Sequence, residues 1–140
     1  MKTRHEFAIV VGTIAAYLLA HAAMAGYAVY LAHEVLRNPV GVGPSELYVS
    51  EIEENYYLVV SLFVVVSVLG TLGVITCAGL IRGSTWARNL WSVTSAAIVA
   101  AIAIAVFYAH VPVAHYSFEL GMVVLSWWCA LQFGRNGSKG

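Results

Sequence analysis

The chain has 140 residues and a formal net charge of zero; 61% of its residues are hydrophobic, 10% are charged, and its mean hydropathy is +0.81. Soluble domains carry ~25% charged residues, and a chain this short has too little interior to hide so much apolar surface from water. Composition therefore excludes an ordinary water-soluble globule and makes lipid the solvent. The absence of a basic stripe excludes a nucleic-acid surface.

Four long apolar runs, at residues 7–31, 56–81, 90–108 and 115–133, are separated by three short polar breaks. Crossing ~30 Å of hydrocarbon as a helix takes ~20 mostly apolar residues, so each run meets or nearly meets the length of a span. The expected fold is all-α: one integral membrane domain over residues 1–140, a four-helix transmembrane bundle running up-down-up-down. Its helices fall at about 7–31, 56–81, 86–110 and 115–133.

The first run follows Lys2 and Arg4, and also has the form of a secretory signal. Ala20-His21-Ala22 and Ala23-Met24-Ala25 are small-x-small triplets of the kind found at cleavage sites. The apolar pattern continues through Gly26-Tyr-Ala-Val-Tyr-Leu to Ala32, which favours a retained helix. The segment at about 32–55 is the one long break, interrupted by Asn38-Pro39, Gly41, Gly43 and Pro44. Ser50 and Glu53 then form a capping-box pattern, with Glu51, Glu53 and Glu54 placed where negative charge suits a helix N-terminus. The acidic cluster reads first as a capped, solvated helix end, and second as a cation-attracting mouth or docking surface.

The next break, Arg82-Gly83-Ser84-Thr85, is a tight turn: Gly83 suits the position just past the end of the second helix, and Ser84 or Thr85 can cap the third. The last break is 110–115, where Pro112 stops the third helix or begins the return. Such short connections make the second, third and fourth helices antiparallel neighbours.

Basic residues fix the orientation. Lys2, Arg4, Arg82, Arg88, Arg135 and Lys139 fall on one side of a four-span chain, and Arg37 alone on the other. The positive-inside rule puts both termini in the cytoplasm and the 32–55 segment outside. The expected location is the cytoplasmic membrane of a prokaryote. Cys77 and Cys129 then lie near the reducing side and are expected as free thiols.

Small residues mark candidate packing faces: Ala97, Ala101, Ala105 and Ala109 on the third helix, Gly12, Ala16 and Ala20 on the first, Ser67, Gly70 and Gly73 on the second, and Ser117 and Gly121 on the fourth. These faces can pack within one chain or between copies.

Two ionisable residues fall within the hydrocarbon. Counting 1.5 Å per residue, His21 and Glu119 each lie ~21 Å from the cytoplasmic boundary. A carboxylate at that depth needs a partner, an inward orientation or a proton, so the two are expected to pair as a buried polar contact. The pair reads as a structural link between the first and fourth helices, or as a proton or cation site. His110, His115 and Glu119 form a second constellation. Two imidazoles and a carboxylate can hold zinc or copper, but the spacing is not a specific signature. A haem would need axial ligands facing each other at one depth, such as His21 with His110 or His115.

The chain contains no aspartate, no Gly-x-Ser-x-Gly, no phosphate-cradling glycine loop and no Cys-x-x-Cys, so an enzyme reading has no positive support. In length and span count it resembles several unrelated groups of membrane proteins: small multidrug transporters, bacteriocin-immunity proteins, and quinone- or haem-linked subunits. The multidrug transporters carry their embedded glutamate on the first helix, where this chain has His21, so no functional residue carries over. The expected function is non-enzymatic, through helix–helix contacts, as an accessory subunit or immunity-type protein. The expected partners are the lipid bilayer, another membrane protein or a second copy. The alternatives are an oligomeric proton- or cation-coupled transporter or channel using Glu119 and His21, and a metal- or haem-binding redox subunit.

Overall fold

A helix satisfies every backbone N–H and C=O within itself, which is why an apolar chain in lipid adopts it. The structure, a computed structural model, describes residues 2–37, 46–108, 110 and 112–137, and the side-chain surroundings of 4–37, 53–107, 110 and 112–132. Among these residues the chain is helical nearly throughout: α1 (Lys2–Arg37), α2 (Glu46–Arg82), α3 (Trp86–Tyr108), a short 3-10 helix (Val113–Tyr116) and α4 (Ser117–Gly137). Three segments, Arg4–Arg37, Glu53–Arg82 and Trp86–Phe107, are long and apolar enough to cross a membrane.

The helices outrun the apolar runs. α1 continues six residues past Leu31, and α2 begins at Glu46, so Ser50 lies within the helix and is not its N-cap. The reason is local: residues 32–37 and 46–55 contain no Gly or Pro, and polar helix formers continue a helix in water as readily as apolar ones do in lipid. α3 ends at Tyr108, two residues short of the expected limit, and α4 starts at Ser117 and runs on to Gly137. The expected breaks at Asn38-Pro39, Gly41, Gly43 and Pro44, together with Ala109 and Lys139, lie outside the described residues.

The turn between α2 and α3 follows the expected chemistry. Gly83 has φ +78°, which glycine adopts without a Cβ clash. Its N–H bonds the Leu80 carbonyl at 3.1 Å, and the Ser84 N–H reaches back to the Gly79 carbonyl at 2.9 Å. This is a Schellman closure of α2. Arg4 adds a third partner, its Nη2 donating to the Ile81 carbonyl at 3.1 Å. At the other end, Pro112 opens the 3-10 turn, the His115 N–H bonds the Pro112 carbonyl at 3.0 Å, and the Ser117 hydroxyl bonds the Ala114 carbonyl at 2.9 Å.

The chain divides into two units, Met1–Tyr17 with Leu69–Gly140, and Leu18–Val68. In the first unit each helix presents one buried stripe at helical spacing: Phe7, Ala8, Val11, Ile14 and Ala15 on α1, Leu69, Gly73, Thr76 and Leu80 on α2, Ala87, Trp91, Thr94, Ser95 and Ile98 on α3, and Val123 and Ser126 on α4. Backbones approach closely where side chains are small. A Cβ added to Gly73 would stand 2.8 Å from the Ala15 Cβ, and one on Gly79 would stand 2.9 Å from the Ala87 Cβ. The Cys77 thiol donates to the Ala8 carbonyl at 3.3 Å. α3 and α4 are joined by reciprocal bonds: the Trp91 indole donates to the Ser126 hydroxyl at 2.9 Å and the Trp127 indole to Ser95 at 2.8 Å.

In the second unit Gly26 of α1 lies against Phe63 of α2, with an added Cβ 3.0 Å from the ring. Leu18 and Ala22 are its buried residues among those described. Met24, Tyr27, Tyr30, Leu31, Leu58 and Leu62 are exposed.

Candidate functional site

Glu119 stands in the first turn of α4, where the helix dipole favours negative charge. It is half-buried in the first unit, and its carboxyl takes a side-chain hydrogen bond from the Tyr17 phenol of α1. The neighbouring residue Phe118 stacks on the same phenol at a tilt of 46°, ring centroids 4.8 Å apart. Tyr17 is thus held from its face by an aromatic ring and at its hydroxyl by a carboxyl. The other carboxyl oxygen, Oε2, is buried and has no hydrogen-bond partner among the described residues. A buried acceptor in that position can take a proton, a water or a small cation.

Tyr17 is the residue that sequence reasoning missed. Equal depth and ionisable character point from Glu119 to His21, whereas a phenol passes as one more aromatic in an apolar run. The available signal was spacing: Tyr17 is four residues before His21, on the same face of α1. His21 itself is half-buried and belongs to the second unit, while Glu119 belongs to the first.

The proposed metal ligands are spread differently. His110 is exposed in the connection after α3, at φ +53°, and His115 is exposed in the 3-10 helix. Among the described residues no three His, Cys, Asp or Glu side chains converge as a metal-binding group, so the structure does not bring His110, His115 and Glu119 together. Cys77 and Cys129 are free thiols, both half-buried.

The small residues divide between inside and outside. Gly12 meets Cys77, with an added Cβ 3.2 Å from its Sγ. Ala101 and Ala105 are half-buried, but Ala16, Ala20 and Ala97 are exposed, and Gly121 has nothing near its missing Cβ. Gly70 and Gly73, expected on a packing face, are both buried, and Gly73 makes its close approach to Ala15; Gly79 against Ala87 is a further close approach in the first unit.

No protein-family model, curated protein or solved structure matches this chain.

Proposed function

We propose that this chain is a small multi-pass membrane protein that acts through helix–helix contacts, as an accessory subunit of a larger assembly or an immunity-type protein. The observation that carries this reading is the outward placement of small side chains on apolar helices. Ala16, Ala20 and Ala23 on α1, and Ala96, Ala97 and Ala100 on α3, are exposed. Helices associate in lipid chiefly where small residues let backbones approach, because lipid tails are as apolar as leucine and supply no hydrophobic drive. Extended apolar surface, with Val93 and Ile9 each 68% exposed, surrounds these positions. The proposed location is the cytoplasmic membrane of a prokaryote, with α4 as a fourth span; the basic-residue bias supports both termini inside.

Disulfide crosslinking in native membranes tests this. With Cys77 and Cys129 replaced by alanine, single cysteines at Ala16 and Ala97 are expected to crosslink to a second copy or a partner helix. A chain that stays uncrosslinked at both positions, and elutes alone from mild detergent, refutes the reading. Orientation is tested separately, by labelling cysteines at Ser45 from outside and Ser138 from inside intact cells.

Glu119 Oε2, buried and without a hydrogen-bond partner among the described residues, favours a second reading, a proton- or cation-coupled transporter or channel working through Glu119 and the Tyr17 phenol that meets it. Membrane-embedded ionisable residues are rare and mark ion pathways and proton relays. Ion flux in proteoliposomes that disappears in Glu119→Gln supports it; equal flux in both proteins, or none in either, sets it aside.

A further inference from the structure

At the far side of the first unit from Glu119, the α2–α3 turn forms a cleft of about 140 Å³ lined by Arg4, Leu80, Gly83, Ser84, Thr85 and Arg88. We propose that this cleft binds a phosphate group, supplied by the headgroup of an anionic phospholipid. The inference does not depend on the function proposed above.

Four observations converge on it. The first is charge: the lining carries two guanidinium groups and two hydroxyl-bearing residues, and no carboxylate. Guanidinium groups match the oxygens of a phosphate with paired, charge-assisted hydrogen bonds. The second is an unused donor. Arg4 is anchored by its Nη2 on the Ile81 carbonyl, yet its Nε is buried and has no acceptor among the described residues. The protein therefore leaves the Arg4 guanidinium incompletely satisfied, and an anion entering the cleft that Arg4 lines meets a cation with hydrogen-bonding capacity to spare.

The third is a backbone shaped for the approach. A Cβ at Gly83 would stand 2.5 Å from Arg4 Nη1. Glycine therefore serves both the left-handed turn that ends α2 and the seating of the guanidinium beside it. α3 begins three residues later, at Trp86, so the first N–H groups of a helix and their positive dipole end face the same turn. The fourth is space and surroundings. A single water needs ~10–15 Å³, so the cleft has room for a polyatomic group. The apolar Leu80 lines the cleft, and the half-exposed indole of Trp86, which follows the lining residue Thr85, lies against Gly79. Tryptophan at such a place marks the level of lipid headgroups, where a phosphate sits next to the start of its acyl chains.

The test uses delipidated full-length protein in a neutral detergent, with thermal melting read against added short-chain phosphatidylglycerol, short-chain phosphatidylcholine and inorganic phosphate. Phosphatidylglycerol is expected to raise the melting temperature in a saturable way, and phosphatidylcholine to do so much less. Arg88→Gln, which leaves the Arg4–Ile81 bond intact, is expected to weaken the apparent affinity by about tenfold or more, the cost of one charge-assisted contact. Arg82→Gln, an exposed arginine outside the cleft, is expected to leave it unchanged. If inorganic phosphate gives the same stabilisation with the same sensitivity to Arg88→Gln, the phosphate site stands and its source is the free anion. The proposal is overturned if neither phosphatidylglycerol nor inorganic phosphate stabilises the unsubstituted protein, or if Arg82→Gln weakens their effect as much as Arg88→Gln does.

Discussion

The two units of this chain are almost equally apolar in sequence and differ in how they use it. The first buries Thr76, Thr94, Ser95 and Ser126 alongside Trp91, Phe7 and Val123. The second buries Leu18 and Ala22 among its described residues and leaves Tyr57 78% exposed and Met24 60% exposed. In water the more hydrophobic segment would be the better packed. In lipid, burying an aliphatic side chain against another helix gains little over burying it against acyl chains, so contact density follows small residues and polar cross-links. The first unit has Gly73 against Ala15, Gly79 against Ala87 and two indole–serine bonds. For the second, Gly26 against Phe63 is the corresponding contact.

Substitutions can break or sharpen this contrast. The largest effect is expected at Gly73. Gly73→Val puts three carbons where a single one already stands 2.8 Å from Ala15, and should cost about 2–3 kcal/mol of stability, at the upper part of the overpacking range. Reversible unfolding in mixed detergent measures it. Gly121→Ala, with nothing near its Cβ, should be neutral or gain up to ~1 kcal/mol from helix propensity. Equal losses at both sites would mean that close approach is not what holds the first unit.

Next comes the polar link between α3 and α4. Ser126→Ala removes the acceptor of the Trp91 indole, a side chain 1% exposed, and should cost about 1–2 kcal/mol because the donor is then stranded. Ser61→Ala, an exposed site in the second unit, should fall within about 0.5 kcal/mol of the unsubstituted protein. The same melting assay compares them. A smaller loss is expected from Gly26→Ala, because its neighbour is the movable edge of the Phe63 ring and not a backbone. That cost should stay below about 1 kcal/mol, and a loss as large as that of Gly73→Val would erase the difference between the units.

The smallest effect concerns His110, whose φ of +53° places a side chain in left-handed backbone space. His110→Gly should gain a few tenths of a kcal/mol, up to ~1, where relief of the Cβ clash exceeds the added freedom of the unfolded chain. Unchanged metal content in that variant would also confirm that the imidazole is not a ligand.

Composition and run length alone determined that the chain is a helical membrane protein, because a solvent of hydrocarbon leaves the backbone few choices. The break at Arg82-Gly83 and the turn at Pro112 were legible for the same local reason: a left-handed glycine and a proline act on the backbone before any packing exists. Helix ends at Arg37 and Glu46 were not, since hydropathy reports where lipid ends and not where a helix does. The inward faces were also hidden. A soluble helix announces its buried stripe by contrast with a polar face, but here both faces are apolar, so Phe7, Val11 and Ile14 look no different in sequence from the exposed Ile9. Only tertiary packing selected Gly79, Ala15 and Trp91 for the inside, turned Ala16 and Ala97 outward, and brought the Tyr17 phenol to Glu119, because these outcomes depend on how close two backbones come and which polar atoms then meet.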